Sequence, residues 1–600
     1  MNEPAGILGL ARAFWGIMTP AQRRGILAAQ LLSLLMAAAT LTGVASIAPF
    51  FAVLGDPGQI DHNALLAWLY DHLGLGSRRS FITVLGIGFV AVVLLTNVIN
   101  FFGSYLLLRL SSGIGDELRT TLYAEYLQRE YLFQLGSSTA FLLNNIVRET
   151  TRVAVGILQS ALLLLTSLGT AVVIVACMFL VSPVAAIAVL TGLAGGYALI
   201  YLNVRQRILR AGLAESELAR ELTQLVFEGF GAIREITILG KHEVFTRRFE
   251  QASRETAALS AYIGAVNQSP RYLIECIAAA GLVGAALVMS RGAGGIAQSL
   301  AALTFLGFAV YRLLPSLQQS FVAFVQIRAS HSAFVAIAAD VARARVPRQK
   351  LNSGLPDWSD RPRSEIRFTD VTFRYHPDSE PALREVSLRI AAGSLVALIG
   401  RNGSGKSTLV DLLAGLLRPE SGRISIDGVQ LDAAVCAAWQ SRIAYVPQDV
   451  FLLDCSIAQN VAFGVPRAEI DWPRLEAAAR LARLDGFVAG LPQGFETRVG
   501  ERGAKLSGGQ KQRIGIARAL YRNASVLILD EATSALDTVV EADFMATIAA
   551  LRGHRTIILI THRLNTLEHC DCIVELDAGR LIRTCSWNDL APRATRAHAV

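Results

Sequence analysis

The sequence predicts a chain of two parts: an α-helical membrane domain over residues 1–340 and an α/β domain over residues 365–600. Long uncharged runs fill the first half, and the whole composition is 52% hydrophobic and only 17% charged, which is typical of a membrane protein. The second half contains a glycine-rich loop between a strand pattern and a helix pattern, which indicates a phosphate-binding α/β domain. Residues 341–364 lose hydrophobicity and gain Pro, Arg and Ser, so we predict a linker there.

Six runs of the first half are long and apolar enough to cross a membrane. A helix needs ~20 apolar residues to span a hydrocarbon core of roughly 30 Å. The predicted spans are Ile26–Leu54, Phe81–Leu108, Ile157–Val181, Pro183–Asn203, Tyr272–Met289 and Leu300–Val325. We therefore expect a multi-pass protein in which the third and fourth spans are joined only by a turn.

The positions of Lys and Arg predict how the spans are oriented. One set of connecting segments is rich in Arg, whereas the opposite set carries only Arg78, Arg79 and Arg291. The Arg-rich side is cytoplasmic by the positive-inside bias, so both termini and the α/β domain are expected inside the cell. This bias also explains the net charge of +8, and we predict no nucleic-acid partner.

The loops between spans differ greatly in length. Two cytoplasmic segments, 109–156 and 204–270, show helical periodicity, which predicts membrane helices that extend into the cytoplasm in pairs. Short turns at their tips, near Phe133–Ser138 and Phe230–Ile233, could either touch the α/β domain or be solvated without a partner. The external loop, Gly55–Ser80, predicts a short helix capped near Asn63 that either lies in the outer interface or packs on the spans.

The stretch that begins at Gly400 has the residues of a P-loop. Strand Leu395–Ile399 precedes it and an apolar helix, Leu409–Leu417, is predicted after it. Its glycines allow backbone N–H groups to face phosphates, Lys406 supplies a charge for the β- and γ-phosphates, and Ser407 supplies a hydroxyl for Mg²⁺. The predicted nucleotide-binding residues of the loop are Gly400, Asn402, Gly403, Ser404, Gly405, Lys406, Ser407 and Thr408.

Two further segments point to the hydrolysis of a bound triphosphate. The apolar strand at 526–529 ends in Asp530 and Glu531, which predicts one carboxylate for Mg²⁺ and one for the attacking water. Ser507, Gly508, Gly509 and Gln510 precede a helix predicted over Lys511–Tyr521, where a second N-terminus offers N–H groups to phosphate. Gln448 follows Val446-Pro447, and His562 follows a strand predicted over 556–561.

These segments together resemble the ATPase of ABC transporters. Gly400–Thr408, Gln448, Leu506–Gln510, Asp530-Glu531, Ser534–Asp537 and His562 are similar to the Walker A, Q-loop, signature, Walker B, D-loop and H-loop, in family order. The resemblance covers about residues 365–590 and implies an α-helical subdomain. It also implies that Tyr375 stacks on adenine and that Asp537 lines the nucleotide site.

The resemblance also implies a mechanism. Glu531 would act as general base, His562 would hold the γ-phosphate, and Gln448 and Asp530 would join Ser407 on Mg²⁺. Because the signature of one family chain completes the P-loop site of another, a homodimer with two composite ATP sites is expected. The implied cofactors are ATP and Mg²⁺.

The first half resembles the membrane domain of exporter-type ABC half-transporters, and short segments resemble flippases for lipid-linked oligosaccharides. These segments include Ser269–Glu275, with Arg271, and Tyr311–Ser316, with Arg312; both arginines are candidate substrate contacts. The expected function is ATP-driven export or flipping of an amphipathic substrate, a lipid-linked oligosaccharide or related glycolipid, from the cytoplasmic side of the cell inner (plasma) membrane. The alternatives are a peptide or hydrophobic small-molecule exporter and an ATP-gated channel or regulator.

Overall fold

A computed structural model of the chain describes residues 7–55, 58–74, 77–181, 183–290, 296–346, 365–533 and 538–590. Contacts divide it into two compact units, residues 1–129 with 137–348 and residues 130–136 with 349–600. The predicted linker lies outside the described residues beyond Val346, and its first residues belong to a helix that ends at Ala344.

The first unit is entirely helical in its described part. Its α-helices, together with α7 of the second unit, are α1 Ile7–Ile17, α2 Pro20–Ala45, α3 Ile47–Gly55, α4 Gln59–His62, α5 Ala64–Leu73, α6 Arg78–Leu127, α7 Tyr131–Gly136, α8 Thr139–Leu143, α9 Ser160–Val181, α10 Pro183–Gly231, α11 Ile233–Ile238, α12 His242–Ser290, α13 Ile296–Ala329 and α14 His331–Ala344. Two π-helical segments, Asn144–Glu149 and Arg152–Gln159, connect α8 to α9.

All six predicted spans fall in helical segments of this unit. Within the described residues, Pro20–Phe51, Arg78–Leu127 and Thr139–Phe179 are long and apolar enough to cross a membrane, and α13 with α14 makes a fourth if that bent pair is one span. Helices α6, α10 and α12 have 50, 49 and 49 residues, about 75 Å each at 1.5 Å per residue. Each of these helices is longer than the roughly 20 residues that a hydrocarbon core requires.

Two details of this unit concern the sixth predicted span and the external loop. Helix α13 contains Pro315, and a bend of 54° separates Ala329, its last residue, from α14. In the external loop, Asn63 is the N-cap of α5. Leu66 packs against the spans, whereas 76% of Leu65 and 56% of Trp68 are exposed.

The second unit contains two sheets. The strands are β1 Glu365–Phe373, β2 Leu383–Ala391, β3 Leu395–Ile399, β4 Ser421–Ile426, β5 Val429–Gln430, β6 Ile443–Val446, β7 Val526–Asp530, β8 Thr556–Ile560, β9 Cys572–Asp577 and β10 Arg580–Cys585. One sheet is antiparallel, in the order β2-β1-β4-β5. The other has the order β10-β9-β3-β8-β7-β6, parallel except for β10.

Helices cover the parallel sheet and form the subdomain that the family resemblance implies. They are α15 Lys406–Leu413, α16 Cys436–Gln440, α17 Ile457–Val461, α18 Trp472–Leu481, α19 Asp485–Ala489, α20 Gly508–Arg522, α21 Thr538–Ala550 and α22 Leu564–Leu567. Helices α17 to α20 lie in the chain between β6 and β7, as an insertion. Helix α15 ends at Leu413, earlier than predicted, because Gly415 takes a left-handed conformation at φ +66°.

Parallel strands place functional loops at one edge of the sheet. Strands β3, β7 and β8 are neighbours, and their carboxyl ends lead into the glycine-rich loop, into Asp530-Glu531 and into His562. The strands are nearly continuous apolar runs that are buried on both faces, as expected for a covered parallel sheet. Ligands of such sheets bind in the crevice beyond the carboxyl ends of the strands.

Candidate active site

A cavity of about 550 Å³ lies at this edge of the parallel sheet, within the second unit. Most of the residues that the sequence predicts for the nucleotide site line it together. They are Tyr375, Asn402, Gly403, Ser404, Gly405, Lys406, Ser407, Thr408, Gln448, Asp530, Glu531 and His562. Residues that are 187 positions apart in the chain, such as Tyr375 and His562, therefore meet at one site.

The glycine-rich loop is shaped by the absence of side chains at two positions. Gly400 has φ +147° and Gly405 has φ +101°, and a Cβ atom at Gly400 would lie 2.1 Å from the Leu576 carbonyl oxygen. Only glycine fits there, so the chain can turn sharply from β3 into the N-terminus of α15. The backbone N–H groups of that N-terminus are suited to an anion.

The polar groups of the loop fit a bound triphosphate. Lys406 donates from Nζ to the carbonyl oxygens of Gly400 and Arg401, at 2.8 and 2.9 Å, and burial lowers its pKa. The hydroxyl of Ser404 is buried and has no hydrogen-bond partner within the described residues. A phosphate would give both groups an acceptor, because a Lys ammonium and a Ser hydroxyl both donate hydrogen bonds.

Glu531 is held on both carboxylate oxygens. His562 Nε2 lies 3.1 Å from Oε1, and Gln448 Nε2 donates to Oε2 at 2.9 Å. The backbone of Glu531 has φ +47°, a left-handed conformation that is costly for a residue with a side chain. The site therefore combines a strained backbone with an oriented carboxylate, which is an arrangement suited to accepting a proton from water.

Asp530 has two neighbours that the sequence reasoning missed. Tyr445 donates from its hydroxyl to Oδ2 of Asp530 at 3.0 Å, and burial raises the pKa of Asp530. Burial, together with the charge of Asp530, raises the pKa of Asp411 to about 6. Asp411 is recognisable in the sequence as the lone acid of helix α15, and Tyr445 as a residue of the strand that leads to Gln448.

Tyr375, which is predicted to stack on adenine, lines the cavity two residues after the end of strand β1. Its ring is 40% exposed at the edge of the cavity and meets Phe373 edge-on, at a centroid distance of 5.0 Å. Its hydroxyl lies 3.0 Å from the Thr408 hydroxyl. An exposed aromatic face beside a phosphate-binding loop can stack on a base.

The signature segment lies apart from this cavity. Ser507 is the N-cap of α20, where it forms a capping box with Gln510, and Gly508 and Gly509 complete the first turn. None of these residues lines the cavity that the P-loop forms. Asp537 was also predicted for the site but lies outside the described residues.

The two arginines proposed for substrate lie in the first unit. Arg271, on α12, is 59% exposed and its Nε lies 2.8 Å from the Glu275 carboxylate. Arg312, on α13, stacks over Phe308 at 5.6 Å, and its buried Nε has no hydrogen-bond partner within the described residues. Neither arginine is among the residues that line the nucleotide cavity.

The residues present fit Mg²⁺ only in combination with a substrate. Within the described residues, no three His, Cys, Asp or Glu side chains form a group that could hold a metal by themselves. The cavity instead offers the Ser407 hydroxyl, the Gln448 amide and the Asp530 carboxylate. Magnesium is commonly bound by one or two such groups together with substrate phosphates.

Comparisons with known proteins identify a family for each half of the chain. Residues 383–534 match the family model described as ABC transporter, and residues 25–313 match the one described as ABC transporter transmembrane region. An ATP-dependent lipid A-core flippase of Cupriavidus metallidurans is 33% identical over 509 residues, 84% of each chain.

Two further relatives extend this likeness. The mouse ATP-binding cassette sub-family B member 10, mitochondrial, is 33% identical over 80% of this chain and 67% of its own length. A solved structure of a bacterial Atm1-family ABC exporter with ATP bound has a TM-score of 0.74 at 26% identity, and the match covers 95% of this chain and 96% of that one. The chain therefore belongs to the ABC transporter family, as an exporter half-transporter whose membrane domain is fused to an ATPase that drives transport.

Proposed function

We propose that this chain, as a homodimer in the inner membrane, uses ATP hydrolysis to flip an amphipathic glycolipid of the lipid A-core type from the cytoplasmic leaflet. The observation that carries this proposal is the 33% identity to a lipid A-core flippase, which spans both the membrane part and the ATPase. A match over 84% of each chain includes the region that would contact a substrate, and not only the nucleotide motifs.

The membrane unit contains a cation that is suited to an anionic headgroup. Arg312 lies on a predicted span, and ionisable residues at such depth face a cavity or a partner in most membrane proteins. Its guanidinium stacks on Phe308 and keeps an N–H group without a hydrogen-bond partner in the described part of the chain. A phosphate or carboxylate of a glycolipid would accept that hydrogen bond. Arg271 would make a weaker contact because Glu275 already pairs with it.

In the ATPase, we assign roles by position in the cavity. Lys406 and the backbone of Gly403, Ser404 and Gly405 bind the phosphates, and Tyr375 stacks on adenine. Ser407, Gln448 and Asp530 would hold Mg²⁺, which supplies charge neutralisation at the phosphates.

Hydrolysis needs positioning of water more than covalent chemistry. Glu531 would take a proton from the attacking water, and His562, 3.1 Å away, keeps the carboxylate oriented and contacts the γ-phosphate. The Ser507–Gln510 segment would close on the nucleotide held by the partner chain, because it lies outside the cavity of its own chain. Such closure across chains requires a dimer, which has two composite sites. In this proposal the ATPase domains and both termini lie in the cytoplasm.

The test is reconstitution of the purified chain in vesicles of phosphatidylethanolamine and phosphatidylglycerol. We expect hexa-acylated lipid A to stimulate ATP hydrolysis and to appear in the opposite leaflet only when ATP is present. The variant E531Q is the matched control, because it keeps the fold and should abolish both signals. Stimulation by a panel of peptides or hydrophobic drugs instead of lipid A would identify a different exporter, and ATP-dependent ion conductance without lipid movement would identify a channel.

A further inference from the structure

Another cavity lies within the first unit and shares no lining residue with the nucleotide cavity. It has a volume of about 460 Å³ and is lined by parts of α1, α8, the first π-helical segment, α10, α13 and α14. Every lining residue falls outside the six predicted spans, in segments that the distribution of Arg predicts to be cytoplasmic. The cavity is therefore a separate candidate for ligand binding.

Three polar side chains, Asn144, Glu149 and Ser216, form what we call the polar floor of this cavity. Glu149 is only 1% exposed, and its Oε1 accepts hydrogen bonds from Asn144 Nδ2 at 3.1 Å and from the Ser216 hydroxyl at 2.9 Å. Arg152 Nη1 lies 3.3 Å from the other oxygen, Oε2. The charge of the buried carboxylate is therefore already balanced by a cation of the protein.

Asn144 leaves one acceptor of the polar floor unused. Its side chain belongs to a residue that is 7% exposed, and its Oδ1 is buried without a hydrogen-bond partner within the described residues. The orientation of the amide follows from its neighbour, because only the NH₂ group can donate to the Glu149 carboxylate. A buried amide oxygen is costly to leave unpaired. A ligand that donates one hydrogen bond to Oδ1 would remove this cost.

The backbone of this segment accounts for the arrangement of the floor. Asn144–Glu149 and Arg152–Gln159 are π-helical, a conformation that is rare and frequently found at functional sites. Side chains that meet on an α-helix are three or four residues apart, whereas Asn144 and Glu149 are five apart and hydrogen-bonded. The i→i+5 bonds of a π-helix bring residues at this spacing together. The π-helical turn thus places both polar side chains at the cavity.

The walls of the cavity are mainly apolar. They comprise Leu10, Phe141, Leu209, Leu213, Ile327 and Val335. Two of these side chains, Leu213 and Val335, are 49% and 50% exposed, and a ligand with an apolar body would cover them and gain hydrophobic free energy. The exposed charged residues of the lining, Glu217 and Arg220, are opposite in sign and select no net charge.

We propose that this cavity binds an uncharged amphiphile that carries a hydroxyl or amide N–H donor on an apolar body. The donor pairs with Asn144 Oδ1, and the body covers the apolar walls. A cation is disfavoured because Arg152 already neutralises Glu149 and because Arg328 also lines the cavity. An anion is disfavoured because Oδ1 and the Glu149 carboxylate are both acceptors. The proposal does not depend on which substrate the transporter moves.

Photolabelling of the full chain in vesicles of phosphatidylethanolamine and phosphatidylglycerol tests this site. The probe is 1-monolauroylglycerol with a diazirine in its acyl chain, and labelled residues are identified by mass spectrometry. We expect saturable labelling within 141–149, 209–220 and 327–336 that an excess of 1-monolauroylglycerol displaces. Methyl laurate has the same acyl chain without a hydroxyl, and dodecylamine carries a cation; each should compete at least about tenfold more weakly.

Two variants test the polar floor and the apolar wall separately. N144L removes the acceptor at nearly constant size, and labelling should fall at least about fivefold. L213W fills the cavity from a half-exposed position without changing the polar floor, so it decides the question if N144L does not fold, and labelling should fall by a similar factor. V147W is the matched control, because Val147 lies on the same π-helical segment as Asn144, is also 49% exposed and does not line the cavity.

Three results would overturn the proposal. The first is an absence of saturable labelling of the cavity segments in the unaltered chain. The second is competition by methyl laurate or dodecylamine that equals competition by 1-monolauroylglycerol, since the ligand class would then be wrong. The third is labelling of both N144L and L213W at the level of V147W, since the label would then lie elsewhere.

Discussion

His562 Nε2 lies 3.1 Å from Oε1 of Glu531, and this contact joins two residues that follow neighbouring parallel strands. Gln448, which follows the edge strand β6, donates to the other oxygen of the same carboxylate. Three loops thus converge on one side chain whose backbone is itself strained at φ +47°. The sheet supplies the rigidity that keeps such a conformation, and the two contacts orient the carboxylate.

Replacing Glu531 by Gln should abolish turnover and leave nucleotide binding intact. The amide keeps the size of the side chain but cannot accept a proton, so we expect ATP hydrolysis to fall about 10²- to 10⁴-fold. Hydrolysis and the affinity for a fluorescent ATP analogue are measured on the same preparation. Glu476, an exposed residue of α18, supplies the control E476Q, which should be unaffected. Near-normal hydrolysis in E531Q would show that another group is the base.

Two inactive chains should restore activity when they are combined. K406A destroys the P-loop and S507A destroys the signature, but a mixed dimer of the two would keep one intact composite site. Random pairing makes half of the dimers mixed, so about a quarter of the normal hydrolysis rate is expected after co-expression, against almost none for either variant alone. Absence of recovery in isolated mixed dimers would contradict composite sites.

Asp411 should make the nucleotide-free protein less stable as pH rises from about 4 to 6. Burial and the charge of Asp530 raise its pKa from 3.8 to about 6, so the folded state binds more protons than the unfolded state between these values. The free energy of unfolding therefore decreases across this window, by roughly 1 kcal/mol once solvent screening of this half-buried group is allowed for.

D411N tests this dependence because it removes the titrating group. Thermal unfolding at pH 4.5 and pH 7 should show that D411N gains stability relative to the unaltered chain at pH 7, by about 2 °C in Tm. Asp485 is exposed, and D485N is the control that should leave the pH dependence unchanged. A pH dependence of D411N equal to that of the unaltered chain would assign the titration to other groups.

Replacing Arg312 should reduce the stimulation of ATP hydrolysis by lipid A much more than it reduces the basal rate of hydrolysis. R312A removes the cation stacked on Phe308, so we expect stimulation by lipid A to fall at least about fivefold while basal hydrolysis stays within about twofold. R312K keeps the charge and should retain part of the stimulation. R254A, at an exposed position of α12, serves as the control. Equal loss of basal and stimulated hydrolysis in R312A would indicate a role in folding.

The nucleotide site was largely predictable because its motifs are local. A loop such as Gly400–Thr408 needs a defined residue at each position to bend around phosphate, and those residues are consecutive in the sequence. The neighbours of Asp530 were not predictable in this way. Tyr445 reaches it only because β6 pairs with β7 in the register Val446 opposite Leu529, and Asp411 only because α15 packs on the same sheet.

The sequence by itself determined that the chain has apolar helices of membrane-spanning length and an ATP-binding α/β domain, since hydropathy and phosphate binding both act over short stretches of chain. Only the tertiary structure decided which distant groups share a contact, such as Arg129 with Asp340 or Glu531 with His562 and Gln448. The physical reason is that such contacts depend on strand order, register and helix crossing. These are set by the packing of the whole domain, and no single segment encodes them.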